Sequence, residues 1–407
     1  MQNATFSRDA GTGLPLDGIR VVEFVHMVMG PTCGMVLADL GAEVVKVEPV
    51  RGDNTRRLTG SGAGFFVTYN RNKKSLAVDV KSAEGRAAVE RLLDSADVVI
   101  ENFRPGAMQR IGFDYDTLST RNPGLVYCSL KGFLEGPYED RTALDEVVQM
   151  MGGLAYMTGP PGRPLRAGAS VNDVMGGMFG AIAVLAALRQ RDATGKGQQV
   201  KSALFENNVL LVAQHMMQYA VSGRPAAPMP NRISAWGIYD VFDTADGKQV
   251  FVGVVTDSQW ALFCEHFGVR ALRADPSLAS NSQRVAARDR LLPIVRELFL
   301  DMDQATLMQI CEAIGLPFAP ITRPEELFDD PHLKASGGLL DITLPNGEAA
   351  RVPGLPIVLG GKRLGVRLNV PRIGEHTRPL LRELGFSDDA LDVLEASGVI
   401  AGDSTGV

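Results

Sequence analysis

The sequence predicts an α/β protein in which a parallel, doubly wound sheet forms a large domain and a smaller α+β domain follows it. Three observations carry this. Short valine-rich runs recur between residues 19 and 130, namely Ile19 to Val25, Ala42 to Glu48, Asp97 to Glu101 and Leu125 to Leu130, with helical stretches between them. A proline-rich stretch, SGRPAAPMPN at residues 222–231, then interrupts the pattern. Beyond it, Tyr239 to Val255 alternates about Asp246-Gly247 as a β-hairpin instead of continuing the strand-helix rhythm.

In chain order, Pro31 opens a helix that closes at Gly41, and further helices are expected at about Ser82 to Leu93, from Asp173 to Leu188, and at about Lys201 to Val221. These boundaries place the first part of the large domain at 1–221, a linker at 222–235, a small domain at 236–330 and a return segment at 331–407. The small domain adds helices at about Ser258 to Phe267 and, with breaks, Val285 to Ile314. From Pro331 to Gly374 the chain is rich in Gly and Pro, with one hairpin at Asn346-Gly347 and no helical period. So long a non-helical stretch is uncommon in a compact domain and is expected to wrap around something, such as a second subunit. A last helix begins near Ser387.

Composition removes several functions. With 407 residues, 45% hydrophobic and 22% charged, the chain is long enough for two domains with substantial cores. A net charge of −6 opposes a nucleic-acid or anionic-membrane surface, so a bound anion needs a local basic cluster. Residues 51–86 offer one: Arg51, Arg56, Arg57, Arg71, Lys73, Lys74, Lys81 and Arg86 against Asp53, Asp79 and Glu84. Cys33, Cys128, Cys264 and Cys311 form no CxxC, and the five histidines have no metal-ligand spacing, so neither metal nor disulfide is expected. The N-terminus lacks an apolar signal region, and the longest apolar run, Met178 to Leu188, is too short to span a bilayer. The expected location is cytoplasmic. After the first strand the turn is HMVMGPTCG, without GxGxxG, which opposes nicotinamide or flavin binding, and Gly195-Lys196-Gly197 lacks the remaining residues of a phosphate loop.

The most suggestive stretch runs from Thr158 to Leu188. A Pro/Gly-rich loop leads to one carboxylate, Asp173, and then to an apolar helix without further charge until Arg189. In the first turn of that helix the dipole favours an anion, so Asp173 is expected to stay ionised. Gly176, Gly177, Gly180 and Ala181 behind it admit a ligand or another backbone. The competing reading is structural: Asp173 caps its helix and the glycines only permit tight packing.

Six segments, LDGIRVVEFVHMVMGP, LADLGAEVVKVE, RNKKSLAVDVK, VIENFRPGAMQRIGF, TGKGQ and GEHTRPLLRELGFSDD, together resemble the class III CoA transferases across nearly the whole chain. The resemblance implies a Rossmann-like large domain and an interlocked homodimer, CoA thioesters as substrates, and no permanently bound cofactor. Asp173 matches the family nucleophile, which forms an aspartyl-acyl anhydride and then an aspartyl-CoA thioester; the helix start is expected to supply N–H donors to the oxyanions. Val78, Asp79, Val80, Lys81, Asn102, Phe103, Arg104, Arg110 and Asp145 match CoA-contacting positions, and the basic cluster would serve the CoA phosphates. Val28 stands where formyl-CoA transferase has a glutamine, and Gly253 to Gln259 replaces its tetraglycine loop, which opposes formyl-CoA and oxalate as substrates.

Two other activities are compatible with the resemblance. The α-methylacyl-CoA racemases share the fold and the aspartate but use a histidine, whose position falls on Leu144 here, and leucine moves no proton. A non-catalytic acyl-CoA-binding protein would not need Asp173. For the transferase, succinyl-CoA is the expected donor and small dicarboxylic acids such as succinate, mesaconate or itaconate the expected acceptors. Arg232 is a candidate for holding a distal carboxylate, unless it pairs with a neighbouring acid.

Overall fold

The valine-rich runs become strands buried on both faces, as a sheet between two helical layers requires. The computed structural model describes residues 13–232 and 234–403. Strands β1 (Arg20–Phe24), β2 (Glu43–Glu48), β3 (Lys73–Val78), β4 (Val98–Glu101), β5 (Val126–Lys131) and β6 (Gln199–Ala203) pair in parallel in the order β3-β2-β1-β4-β5-β6. A short strand, Ile400–Ala401, adds antiparallel to β3. The strand order reverses between β1 and β4, which opens a crevice at their carboxyl ends.

The helices that matter for this unit are α1 (Met29–Asp39), α2 (Phe65–Tyr69), α3 (Ala83–Asp94), α4 (Ala107–Ile111), α5 (Tyr115–Arg121), α6 (Asp145–Met151), α7 (Leu154–Thr158), α8 (Val171–Thr194) and α9 (Leu204–Ser222). Two of the parallel strands escaped the sequence reading. β3 carries Lys73 and Lys74, which look like solvated residues, and β6 takes Gln199–Ala203, part of which was expected to open α9. Helix α8 is also longer than expected and, by length and composition alone, would reach across a membrane. Its small residues face protein: a Cβ at Gly177 would lie 2.5 Å from the Met29 carbonyl oxygen, and one at Gly180 would meet Leu130 at 2.7 Å and Cys33 at 3.2 Å. Gly177 therefore admits the backbone of α1, and Gly180 the side chains of α1 and β5.

Half of the basic cluster is turned inward, so it does not form the continuous phosphate-binding surface expected. Lys73 and Glu23 are fully buried, with the Lys73 ammonium donating to both carboxylate oxygens at 2.8 and 3.1 Å and to the Pro31 carbonyl at 2.9 Å. Burial pulls the Lys73 ammonium down to about 8, with the Glu23 charge opposing the shift. Arg71 pairs with Asp39 at 2.6 Å, Arg56 with Glu48 at 2.6 Å, and Lys74 with Glu43 at 2.5 Å. Of the eight basic residues, Arg51, Arg57 and Lys81 are exposed.

The described chain divides into two compact units, Met229–Asp330 being one and the sequence on either side of it forming the other. The smaller unit has a three-stranded antiparallel sheet of Ile238–Asp243, Gln249–Val254 and Phe318–Pro320. Its hairpin turns at Gly247, where φ is +70°. Phe242, Trp260, Phe263 and Phe299 fill its core. The return segment is more structured than expected: it contains a helix at Pro331–Ser336, the hairpin at Asn346-Gly347, and a second hairpin of Val358–Leu359 with Lys362–Arg363. It also has a small core, in which Ile342, Val352 and Val370 pack on Phe66 of α2.

The buried Glu23–Lys73 pair makes a stability prediction. Lys73→Met strands a desolvated carboxylate and should cost about 3–5 kcal/mol in denaturant unfolding. The double variant E23L/K73M should recover most of that loss; equal instability of both variants would show that the charge balance is not the cause.

Candidate active site

The loop that follows α7 ends at Ser170, and α8 begins without a side-chain cap from that residue. The cap comes from α6. Asp145 Oδ1 accepts the backbone N–H of Asn172 at 2.8 Å and that of Asp173 at 3.2 Å. Its other oxygen accepts Gln149 Nε2 at 2.5 Å, and Gln149 Oε1 accepts the Ala167 N–H at 2.7 Å. One buried carboxylate and its i+4 neighbour thus staple both the loop and the helix start to α6. Val171 N–H donates to Ala169 O at 2.9 Å and Val174 N–H to Ser170 O at 3.0 Å, so the first-turn donors are all engaged.

This arrangement corrects three expectations. Asp173 does not cap α8, because Asp145 does. Asp145 lies beneath the helix start, 6% exposed, and its carboxylate is committed to protein donors instead of lying open to CoA. The first-turn N–H groups of α8 are also unavailable as oxyanion donors.

Below the first turn, Asn172 Nδ2 donates to Asn208 Oδ1 on α9 at 3.1 Å, with both residues fully buried, and Ser202 Oγ donates to the Gly176 carbonyl at 3.0 Å. The Asp173 carboxylate is left half-buried and, among the described residues, without a hydrogen-bond donor. Burial raises its pKa to about 7, the Asp145 charge adds to the rise, and Arg166 opposes it. It therefore does not stay fully ionised at neutral pH as the helix dipole alone implied; Asp145 occupies the positive end of that dipole and adds repulsion. The Tyr69 phenol, at the end of α2, is also pushed up, by burial first and then by the Asp173 charge. A desolvated carboxylate with a raised pKa is more basic than a solvated one and correspondingly more nucleophilic once ionised.

The remaining sequence candidates fall into three groups. At the β1/β4 crevice, the Asn102 side chain clamps the His26 backbone, accepting its N–H at 3.0 Å and donating to its carbonyl at 2.9 Å, while the Phe103 ring packs on His26 at 5.6 Å. Asn102 is thus engaged structurally. Asp79, Lys81, Arg104 and Arg110 are exposed, with Val80 half-buried. Val28 and Val78 are 1% and 2% exposed, so their side chains present no surface to a ligand. Arg104 borders a cavity of about 150 Å³ with Glu101, Met108, Tyr127, Lys131 and Lys201, too small for a whole CoA and not lined by Asp173. Arg232, in the smaller unit, is exposed and donates to the Met229 carbonyl at 3.2 Å. The sequence reading missed Gln149, Arg166 and Asn208. Only Gln149 carried a signal, its i+4 spacing from Asp145.

A model of CoA-transferase family III matches residues 16–377. A relative from Agrobacterium fabrum named succinate–glutarate CoA-transferase is 36% identical, covering 91% of this chain and 96% of its own. One from Haloarcula hispanica named succinyl-CoA:mesaconate CoA-transferase is 33% identical, covering 91% and 96%. A crystal structure of a CAIB/BAIF family protein from Brucella suis superposes with a TM-score of 0.82 at 35% identity, covering 91% of this chain and 99% of that one.

The two-carboxylate geometry predicts a titration. In carboxyl-labelled protein the Asp173 resonance, assigned by its loss in D173N, should titrate near pH 7. In D145N the like charge is gone while an amide oxygen still caps the helix. The midpoint should then fall but remain above the ordinary aspartate value, because burial is the larger cause. An unchanged midpoint would mean that Asp145 exerts no field on Asp173.

Proposed function

The chain belongs to CoA-transferase family III, and we propose that it moves CoA from succinyl-CoA, or another small dicarboxylyl-CoA, to a small carboxylic acid through covalent chemistry at Asp173. The observation that carries this reading is the Asp173 carboxylate itself, desolvated, without donors of its own, and relieved of helix capping by Asp145. The substrates named for the relatives from A. fabrum and H. hispanica support a dicarboxylyl donor and acceptor.

In the proposed cycle an Asp173 oxygen attacks the thioester carbonyl, the C–S bond breaks, and CoA leaves as a thiolate, giving a mixed anhydride. The thiolate then attacks the aspartyl carbonyl and releases the donor acid, leaving an aspartyl-CoA thioester. The acceptor carboxylate attacks this thioester and expels CoA again, and CoA takes the new acyl group from the second anhydride, regenerating Asp173. Every nucleophile and leaving group is an anion, so no step requires a proton-moving side chain. Leu144, just ahead of α6 and 61% exposed, occupies the position where the racemase alternative needs a histidine, which disfavours α-proton transfer. Exposed Lys81, Arg104 and Arg110 remain as candidate partners for the CoA phosphates.

The proposal extends to assembly. Met178 and Ile182 on α8, with Leu210, Met217 and Val221 on α9, are large apolar side chains open to solvent in the single chain, the kind of surface that a second copy covers. We take this as support for the interlocked homodimer that the family resemblance implies, working in the cytoplasm without a resident cofactor.

Two tests follow. Succinyl-CoA without an acceptor should leave the mass of CoA on the peptide containing Asp173, trappable with hydroxylamine. Asp173→Ala should abolish this adduct and lower turnover by roughly 10³-fold or more while CoA binding persists; near-normal turnover in a less stable D173A protein would return Asp173 to a structural role. For assembly, sedimentation should show a dimer at every accessible dilution, and a folded monomer at low concentration would contradict the interlocked form.

A further inference from the structure

We propose that Arg166 determines substrate class at this site: its guanidinium receives the distal carboxylate of a dicarboxylyl group whose other carboxyl carbon reacts at Asp173. The inference rests on the transferase reading above and adds the residue that would make that reading specific for diacids.

Arg166 stands on the loop that leads into α8. Its Nε donates to the Ala167 carbonyl at 3.2 Å, which fixes the plane of the fork. The terminal nitrogens are not similarly used. Nη2 lies 3.6 Å from Asp145 and Nη1 3.5 Å from Glu146, contacts of opposite charge without a hydrogen bond among the described residues. Asp145 does not need them, since two backbone N–H groups and Gln149 already engage its oxygens. The Arg166 side chain is 37% exposed, so its terminal donors, held only by these two longer ion pairs, are open to an incoming anion.

Charge explains why a cation is required there. Asp145, Glu146 and Asp173 put three carboxylates around one arginine, and a further carboxylate brought in by a substrate would be repelled unless it met that arginine. Arginine stays protonated, and its planar fork matches a carboxylate in two-point contact. The two ends meet at one residue: the Arg166 fork lies 3.6 Å from Asp145, and the same Asp145 carboxylate accepts the Asp173 backbone N–H at 3.2 Å. The distal carboxylate of a four- or five-carbon diacid stands about 4–6 Å from its reacting carbon, a span of that order.

The test uses two unreactive thioethers, S-(3-carboxypropyl)-CoA, which carries the distal carboxylate, and S-butyl-CoA, which lacks it, with binding to the full-length protein measured by calorimetry. The wild type should prefer the carboxylated ligand by roughly 10- to 100-fold, R166Q should erase that preference while leaving S-butyl-CoA affinity unchanged, and R166K should retain part of it. Equal binding of the two ligands by the wild type, R166Q weakening both alike as an oxyanion or purely structural role would require, or R166Q changing neither, would each overturn the assignment. A wild-type transfer assay over small dicarboxylyl-CoA donors and small acid acceptors, succinyl-CoA and glutarate among them, separates the underlying reading: no transfer with any pair overturns the function itself and the clamp with it, whereas transfer with an unaltered R166Q preference overturns only the clamp.

Discussion

The hydrogen bonds from the first turn of α8 to the buried Asp145 carboxylate are the constraint on which the site depends. A helix start needs its orphan donors satisfied, and an acid supplied from another helix does this while tying two distant parts of the chain together. The consequence for Asp173 is electrostatic. The stabilisation that a helix N-terminus offers to one anion is spent on Asp145, and Asp173 is held beside it with burial and like charge both opposing ionisation. A residue suited by position to be a cap becomes a carboxylate with unused reactivity.

That staple works only because α8 is held on its other faces. The Gly177 backbone lies against the start of α1, so the two helices cross at a separation that any side chain would prevent. The paired asparagines 172 and 208 and the Ser202 hydroxyl bind α8 to α9 and to the last strand. Beneath α1, the Glu23–Lys73 pair ties β1 to β3 and reaches the Pro31 carbonyl. Partners sit closely matched in this part of the unit, and a Cβ at Gly34 would lie 1.8 Å from the Glu23 carboxylate. Buried charge of this kind contributes little net stability, but it penalises arrangements in which one partner is stranded. It gives the strand ends beneath the crevice a single arrangement.

The internal use of lysine and arginine also bears on ligand binding. Several charges that look in sequence like a phosphate-binding surface neutralise acids of the sheet and of α1, and of the exposed cations that remain, Arg51 and Arg57 share one turn while Lys81 lies apart from them in sequence. The reacting end is different. There, one partly open arginine stands beside Asp145 and Glu146, and in the proposed reading that single side chain decides which acyl groups are tolerated.

The parallel sheet, the hairpin of the smaller unit and the placement of Asp173 in a helical first turn are legible from the residues alone, because they depend on local signals: valine runs, an Asp-Gly turn, and a loop followed by an unbroken apolar period. The sheet edge is not. The sequence by itself did not disclose β3, whose lysines read as solvent-facing until Glu23 and Glu43 are seen opposite them. Nor did it disclose the second hairpin and small core of the return segment, which need Phe66 from the other end of the unit. At the site, family resemblance marked Asp145 and Asp173 separately, but their relation was illegible, since no local pattern states that an acid on α6 caps α8. The free state of the Asp173 carboxylate, the engagement of the first-turn N–H groups and the open fork of Arg166 were decided only by tertiary structure. Each depends on which donors and charges are already taken, and that is settled only when residues far apart in the chain are brought within a hydrogen-bond length of one another.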